Sequence, residues 1–377
     1  MNRHYFVTGA TGTVGSAVVE RILREPDTQA TILARAADDS ALAVRRRELL
    51  DHWGAPDDGP LAHRLHLVRG DIQQPQLGLQ PAEWSRVAEE ATHIVHCAAS
   101  VKLNMPLDVA RATAVLPTGS VLDLARQGMQ QGVLRKVELV STVGVWGRTP
   151  GVMPERPLPE VDRFHNTYEA AKSEAEKLVW ALQGELPVTV HRPSMVVGRQ
   201  GDGRVMSFQV FYHLCEFLSG IRTRGIMPAL GTTRLDTVPV DWVADVLFWS
   251  SNQADTAGAV LHLCSGPDEA IALTALQAHV REAWQAHGLT VPRLRQVNLR
   301  LLSTLVPVLG LLGGQRARRA LRALPPVLAY LAEDQGFDNT QTQQQLTAAG
   351  LALPPVRSYL PAVLSHYLAQ RHPPGPE

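Results

Sequence analysis

Tyr168 and Lys172 stand four residues apart in Thr167-Tyr168-Glu169-Ala170-Ala171-Lys172. On a helix that spacing puts phenol and ammonium on one face, one turn apart. An ammonium beside a phenol favours phenolate, so Tyr168 is expected to give or take a proton near neutral pH. Upstream, Val137 to Val140 reads as a strand that runs into Ser141-Thr142. A hydroxyl at the carboxyl end of a strand lies where ligands sit in an open parallel sheet. Near the start, Gly9, Gly12 and Gly15 follow the apolar run Tyr5-Phe6-Val7 and precede Ala17, Val18, Val19, Ile22 and Leu23 at helical spacing. Missing side chains allow a tight turn, close backbone approach to a pyrophosphate, and helix–strand packing. The helix that opens there turns free N–H groups and a partial positive charge to the phosphates. The run from Gly9 through Thr11, Gly12, Thr13 and Val14 to Gly15 therefore predicts a dinucleotide site.

The second apolar run, Ala30 to Ala34, ends at Arg35, and Arg45, Arg46 and Arg47 follow. An acidic residue there would hold a free ribose 2′-hydroxyl. A guanidinium suits a 2′-phosphate in charge and in fork geometry, so Arg35, with Arg45 behind it, points to NADP(H) over NAD(H). The plain alternative is a solvated, basic helix face.

These groups need a scaffold. Further strand-like runs are Leu65 to Val68, Ile94 to His96, Val137 to Val140 and Val188 to Val190. Helix-like stretches fall between them at Ala41 to His52, Pro81 to Glu90, Pro106 to Gly128 and Tyr168 to Gln183. Strands alternating with helices predict an α/β, Rossmann-type doubly wound parallel sheet. After Gly198 the alternation weakens. A dinucleotide-binding domain is expected over residues 1–197, completed by about 236–265, with a smaller, mostly helical substrate lobe in 198–235 and 266–377. Within that lobe Phe208 to Leu218 reads as a helix. Leu301 to Leu312 and Leu321 to Leu331 add apolar surface around Arg316, Arg318, Arg319 and Arg322, which reads as an ordinary helical subdomain packed on the core, an acyl tunnel with phosphate-binding arginines, or a contact with a membrane surface.

Composition bounds the rest. The 377 residues are 45% hydrophobic and 19% charged, which suits a large buried core and excludes wholesale disorder. The 36 basic and 36 acidic residues cancel, so no electrostatic search for nucleic acid is expected. Cys97, Cys215 and Cys264 are far apart, with no metal-ligand spacing, so neither a disulfide framework nor a metal site is expected, and the compartment is expected to be reducing and cytoplasmic. No targeting segment is expected at the start. The apolar run Leu301 to Gly314 falls short of the roughly 20 residues that span a bilayer.

In order and spacing these features resemble the extended short-chain dehydrogenase/reductases, and more narrowly the thioester-reductase and fatty acyl-CoA reductase branch. The resemblance runs over nearly the whole chain. It includes Thr8-Gly9-Ala10-Thr11-Gly12, Arg35, Gly70-Asp71-Ile72 with Leu77-Gly78-Leu79 and Trp84, and His96-Cys97-Ala98-Ala99-Ser100. It continues through His191-Arg192-Pro193-Ser194, Asp236-Thr237-Val238-Pro239-Val240-Asp241, and Phe337-Asp338-Asn339 with Leu346 and Tyr359-Leu360. It implies Thr142, Tyr168 and Lys172 as the catalytic trio, with Ser141 as runner-up for Thr142. Thr8 would belong to the cofactor turn and Asp71 and Ile72 would flank the adenine. Ala98 and Ala99 would line the nicotinamide side, Lys172 would hold the ribose, and Arg192 and Pro193 would close over the cofactor. The chain departs from the branch at Ala114, where a proton-relay asparagine is usual, at Pro117 for a glycine, and at Ala171 for a serine. Slower turnover or a substitute relay is expected from Ala114.

The activity implied is NADPH-dependent reduction of an acyl thioester, on CoA or a carrier protein, to an aldehyde and on to the alcohol where the enzyme reduces twice. The length leaves no room for adenylation or carrier domains, so the activated acyl group is expected from elsewhere. Two other readings stay open: a keto/hydroxyl oxidoreductase or sugar-nucleotide epimerase using the same trio, and a non-catalytic protein that senses NADP(H). Oligomeric state is not legible.

Overall fold

The computed structural model describes residues 3–103, 105–297 and 335–373. The apolar and arginine-rich stretches singled out between 301 and 331, with Arg316, Arg318, Arg319 and Arg322, lie outside the described residues.

Seven strands form the central sheet: β1 (Arg3–Thr8), β2 (Thr28–Ala34), β3 (Leu65–Arg69), β4 (His93–His96), β5 (Lys136–Val140), β6 (Val188–Pro193) and β7 (Val260–Leu263). Their order is β7-β6-β5-β4-β1-β2-β3, with every neighbouring pair parallel. Chain direction across the sheet reverses between β1 and β4, and ligands bind at such a switch point, beyond the carboxyl ends of the strands. Thr8 ends β1 and His96 ends β4, so the glycine turn and Cys97–Ser100 meet there.

Successive side chains of a strand point to opposite faces. Tyr5 and Val7 pack into one core cluster, and Phe6 into the other. Helices α1 (Thr13–Leu23) and α2 (Asp39–Trp53) cover the first face. On the second lie α3 (Pro81–Glu90), α4 (Leu107–Gln130) and α5 (Thr167–Trp180). In the second lobe α6 (Val210–Leu218) packs with α8 (Leu273–Ala286), while α7 (Val240–Ser251), whose Val243 and Leu247 are buried, returns to the sheet beside α1. Near the end, α9 (Thr340–Ala348) and α10 (Val356–Arg371) separate: Leu346 of α9 joins the core of the sheet, while Tyr359 and Tyr367 of α10 join α6 and α8. The described residues of the span 266–377 are thus divided between the two cores. β6 runs on to Pro193, which takes Arg192 and Pro193 into the sheet. No helix of the described residues is long and apolar enough to cross a membrane.

Candidate active site

Gly9 has φ +77°, and a Cβ there would come within 2.6 Å of the Ala98 backbone nitrogen. A Cβ on Gly15 would lie 2.2 Å from the Gly9 carbonyl oxygen. No side chain fits at either position. Gly12 is the N-cap of α1; it supplies no capping side chain, and the first turn holds no acidic residue. The helix therefore presents uncapped N–H donors to the space over the turn. Thr11 is exposed and Val14 half-buried. Thr13 is buried, 3.3 Å from the Ser207 hydroxyl and accepting from Gln209 Nε2 at 3.2 Å, so the turn is tied to the second lobe. Thr8 differs from its expected role: its hydroxyl turns into the sheet, 2.7 Å from His96 Nδ1, and is unavailable to a ligand.

The basic residues separate. Arg45 pairs with Glu48 at 2.7 Å on the exposed side of α2, and Arg46 and Arg47 reach Asp57. None of the described hydrogen bonds or ion pairs involves Arg35, which is exposed just past β2. The β2–β3 register sets Arg69 opposite Ala34, and its Nη1 donates to the Ala37 carbonyl. Arg69 was not singled out from the sequence; its position at the end of the strand next to β2 is the signal that could have found it. Asp71 is half-buried, and its carboxylate accepts from the Gln73 N–H at 3.0 Å, closing a turn; Ile72 packs on the core of the second face. Ala98 is buried against Gly9, and Ala99 is half-buried.

Thr142 caps the turn Val143–Trp146, its hydroxyl oxygen accepting from the Gly144 N–H at 3.2 Å. Asn166 caps α5 through the Glu169 N–H, which fixes Tyr168 in the first helical turn. Burial pushes the Tyr168 phenol up to about 12; interaction with the Thr142 hydroxyl opposes this, and the Glu169 charge adds to it. Lys172 donates to the Val140 carbonyl at 2.7 Å, and burial lowers its ammonium to about 8 against the opposing pull of Glu176. In this structure Lys172 turns to the end of β5, and burial rather than the lysine dominates the shift of the Tyr168 phenol.

Ser141 points to the other side, where its hydroxyl donates to Glu176. Arg192 completes that buried group with Nη2 at 2.6 Å from Glu176, Nε at 3.0 Å from the same carboxylate, and Nη1 on the Arg156 carbonyl. Its guanidinium is held inside the molecule and does not close over a cofactor. Pro193 is the buried last residue of β6. Ala114 and Ala171, the two departures near the trio, pack together with Ala110. Beside them the Thr118 hydroxyl donates to the Ala114 carbonyl at 2.7 Å and lies 3.3 Å from His96 Nε2. Burial, with the nearby Lys172 charge, lowers His96 to about 3, so its imidazole is neutral.

Thr142 and Gly144 open onto a cavity of about 390 Å³, with His165, Ser194, Asp236 and Phe337 among its other walls. Burial raises the Asp236 carboxyl to about 6, although it accepts from the Ser265 and Gly266 N–H groups. His165 was missed in the sequence; its four-residue spacing from Glu169 was the available signal.

The fold has known counterparts. The family described as male sterility protein, an NAD-binding family, matches residues 7–247. The chain is similar to the terminal R domain of the myxalamid PKS-NRPS pathway, at 27% identity and a TM-score of 0.80, covering 100% of this chain and 92% of that one. It is similar in fold to the reductase domain of a nonribosomal peptide synthetase from Mycobacterium tuberculosis, at 22% identity and a TM-score of 0.71, covering 98% and 92%. Among curated proteins it is 30% identical over 267 residues to aldehyde reductase lnaA of Aspergillus flavus, covering 68% of this chain. The chain spans 25% of the length of that fungal protein, and 25% of a similar peptide synthetase, FrzA, from Cladobotryum.

Proposed function

Because the chain belongs to the male sterility protein family, a thioester-reductase branch of the extended short-chain dehydrogenase/reductases and thus an oxidoreductase family, we propose that it reduces a carrier-bound or CoA-bound acyl thioester to an aldehyde with NADPH. The observation that carries this is the Thr142 hydroxyl, placed on the wall of the cavity with the Tyr168 phenol beside it, on a chain that matches a terminal reductase domain along its full length.

The uncapped N–H groups that open α1 suit a pyrophosphate, and glycine at positions 9 and 15 lets the turn close against Ala98 and upon itself beneath them. Bound there, the reduced nicotinamide supplies a hydride to the thioester carbonyl carbon. The amides of Thr13 and Val14, with Gly12, are positioned for the pyrophosphate. Arg35, exposed and unengaged among the described residues, favours a 2′-phosphate, with Arg69 at the same edge and Arg45 one helix face away. By resemblance to the family, Asp71 and Ile72 would flank the adenine, and Ala98 and Ala99 would line the nicotinamide side. Lys172 keeps N–H donors beyond its bond to Val140 for the ribose.

At the carbonyl, Tyr168 donates a proton to the oxygen as charge develops there, and the Thr142 hydroxyl, bonded to the phenol before substrate binds, turns its own proton to the same oxygen. Two such preorganised donors are worth on the order of 3 kcal/mol each. The neutral state of Tyr168 suits this donor role. A thiolate is a better leaving group than an alkoxide, so the tetrahedral adduct collapses to aldehyde and thiol. The carrier-bound substrate is favoured by the likeness to terminal domains of assembly-line enzymes, and the free thiols Cys97, Cys215 and Cys264 suit a reducing, cytoplasmic setting.

Acyl-pantetheine and acyl-CoA thioesters mixed with the chain and NADPH test the reading, with loss of nicotinamide absorbance followed and the product identified. Aldehyde formation, abolished by Tyr168→Phe while NADPH still binds, is the expected result. Unchanged biological activity of Tyr168→Phe would instead mark a cofactor-sensing protein. Arg35→Ser is expected to move the preference from NADPH toward NADH.

A further inference from the structure

His165 and Glu169 stand one turn apart where α5 begins. The imidazole Nδ1 lies 2.9 Å from the Glu169 carboxylate, and both side chains are buried. That carboxylate also accepts from the His165 backbone N–H at 2.9 Å and from Asn166 Nδ2 at 3.1 Å. Its methylene backs onto Gly144, where a Cβ would lie 3.1 Å from Glu169 Cγ. The pair is therefore fixed against the turn that carries Thr142, and His165 borders the same cavity as Thr142 and Gly144. Tyr168 lies between the two partners in sequence.

Resting on the thioester-reductase reading, we propose that His165, oriented by Glu169, is the acid that protonates the departing sulfur. Thioester reduction needs a proton at two atoms, the carbonyl oxygen and the sulfur. Tyr168 and Thr142 serve the oxygen, and a separate donor at the sulfur would speed the departure of a basic alkyl thiolate. Once hydride and the Tyr168 proton have reached the carbonyl, the substrate is a hemithioacetal and Tyr168 a phenolate. In the collapse, the hydroxyl proton returns to Tyr168, the oxygen pair re-forms the C=O bond, and the C–S bond breaks with its electron pair on sulfur. The His165 imidazolium gives that sulfur its proton, leaving aldehyde, thiol and a neutral imidazole that regains a proton from water. The Glu169 carboxylate at Nδ1 fixes the ring's orientation. Aldehyde reduction expels no leaving group, so it has no use for this acid.

The test compares three substrates with one acyl group: its alkyl thioester on N-acetylcysteamine, its thiophenol ester, and the matching aldehyde. In the full chain, His165→Gln is expected to slow the alkyl thioester by about 10²-fold, the low end for a general acid. The thiophenol ester, whose thiolate leaves without help, and the aldehyde are expected to stay within about twofold of wild type by the same principle. NADPH affinity, read by nucleotide fluorescence, is expected to stay unchanged, and added imidazole to restore part of the alkyl-thioester rate to His165→Ala. Glu169→Gln is expected to repeat the pattern more weakly, and it carries the comparison if the histidine variants fail to fold. Equal losses on all three substrates, or no loss on the alkyl thioester, would overturn the proposal. A wild-type chain that reduces the aldehyde but neither thioester would overturn the thioester-reductase reading itself, and this role with it.

Discussion

Ser141 and Thr142 are adjacent hydroxyls at one strand end, yet they face opposite sides, because side chains alternate along an extended backbone. Ser141 is spent on Glu176 and Thr142 faces the cavity. Thr142→Ala is therefore expected to lower kcat/KM by about 10²-fold, the cost of one oxyanion donor, while Ser141→Ala lowers melting temperature with turnover retained. Steady-state kinetics and a thermal melt on both variants check this. Lys172 gives a pH signature. Its ammonium, lowered to about 8 by burial, is present below that pH and lost above it. If it holds the ribose, kcat/KM falls as pH rises through about 8. Lys172→Arg, whose guanidinium does not titrate in this range, is expected to remove that limb from the profile.

At the scale of the element, β5, β6 and α5 are locked together by a group that contacts no ligand. The Arg192 guanidinium on β6 and the Glu176 carboxylate on α5 are fully buried, and Ser141 at the end of β5 donates to the same carboxylate. Removing one partner strands a charge away from water, so Glu176→Ala is expected to cost about 3–5 kcal/mol of stability. Calorimetry would show it as a large drop in melting temperature, and a variant that melts like wild type would contradict the assignment. Because α5 also carries Tyr168 and Lys172, the pair holds the helix face that bears them at a fixed height over β5. In α4, beside the apolar contact of Ala114 with Ala171, the Thr118 hydroxyl lies next to His96 Nε2, opposite the Thr8 hydroxyl at Nδ1.

At the scale of the molecule, two cores meet along the cavity. Tyr367 of α10 packs on Phe208, Tyr212 and Trp284 in the second core, far along the chain from the glycine turn. Tyr367→Ala is expected to cost about 3–5 kcal/mol through the void it leaves. Its effect should fall on thioester KM and leave NADPH affinity near wild type; a parallel loss of nucleotide binding would show that the cores do not act separately. The strand–helix alternation, the glycine turn and the Tyr168–Lys172 spacing were set in the sequence, since each is a local pattern whose period or missing side chain carries its own physics. The extent of β6, the edge strand β7 and the split of the described residues of 266–377 between two cores were not, because runs buried on both faces lose their alternation and pairing joins residues distant in sequence. The fates of Thr8, Ser141, Thr142 and Arg192 were likewise decided only by tertiary structure. A hydroxyl or guanidinium has the same chemistry wherever it stands in the chain, and only the neighbour that folding brings within 3 Å determines whether it is consumed by the core or left facing the cavity.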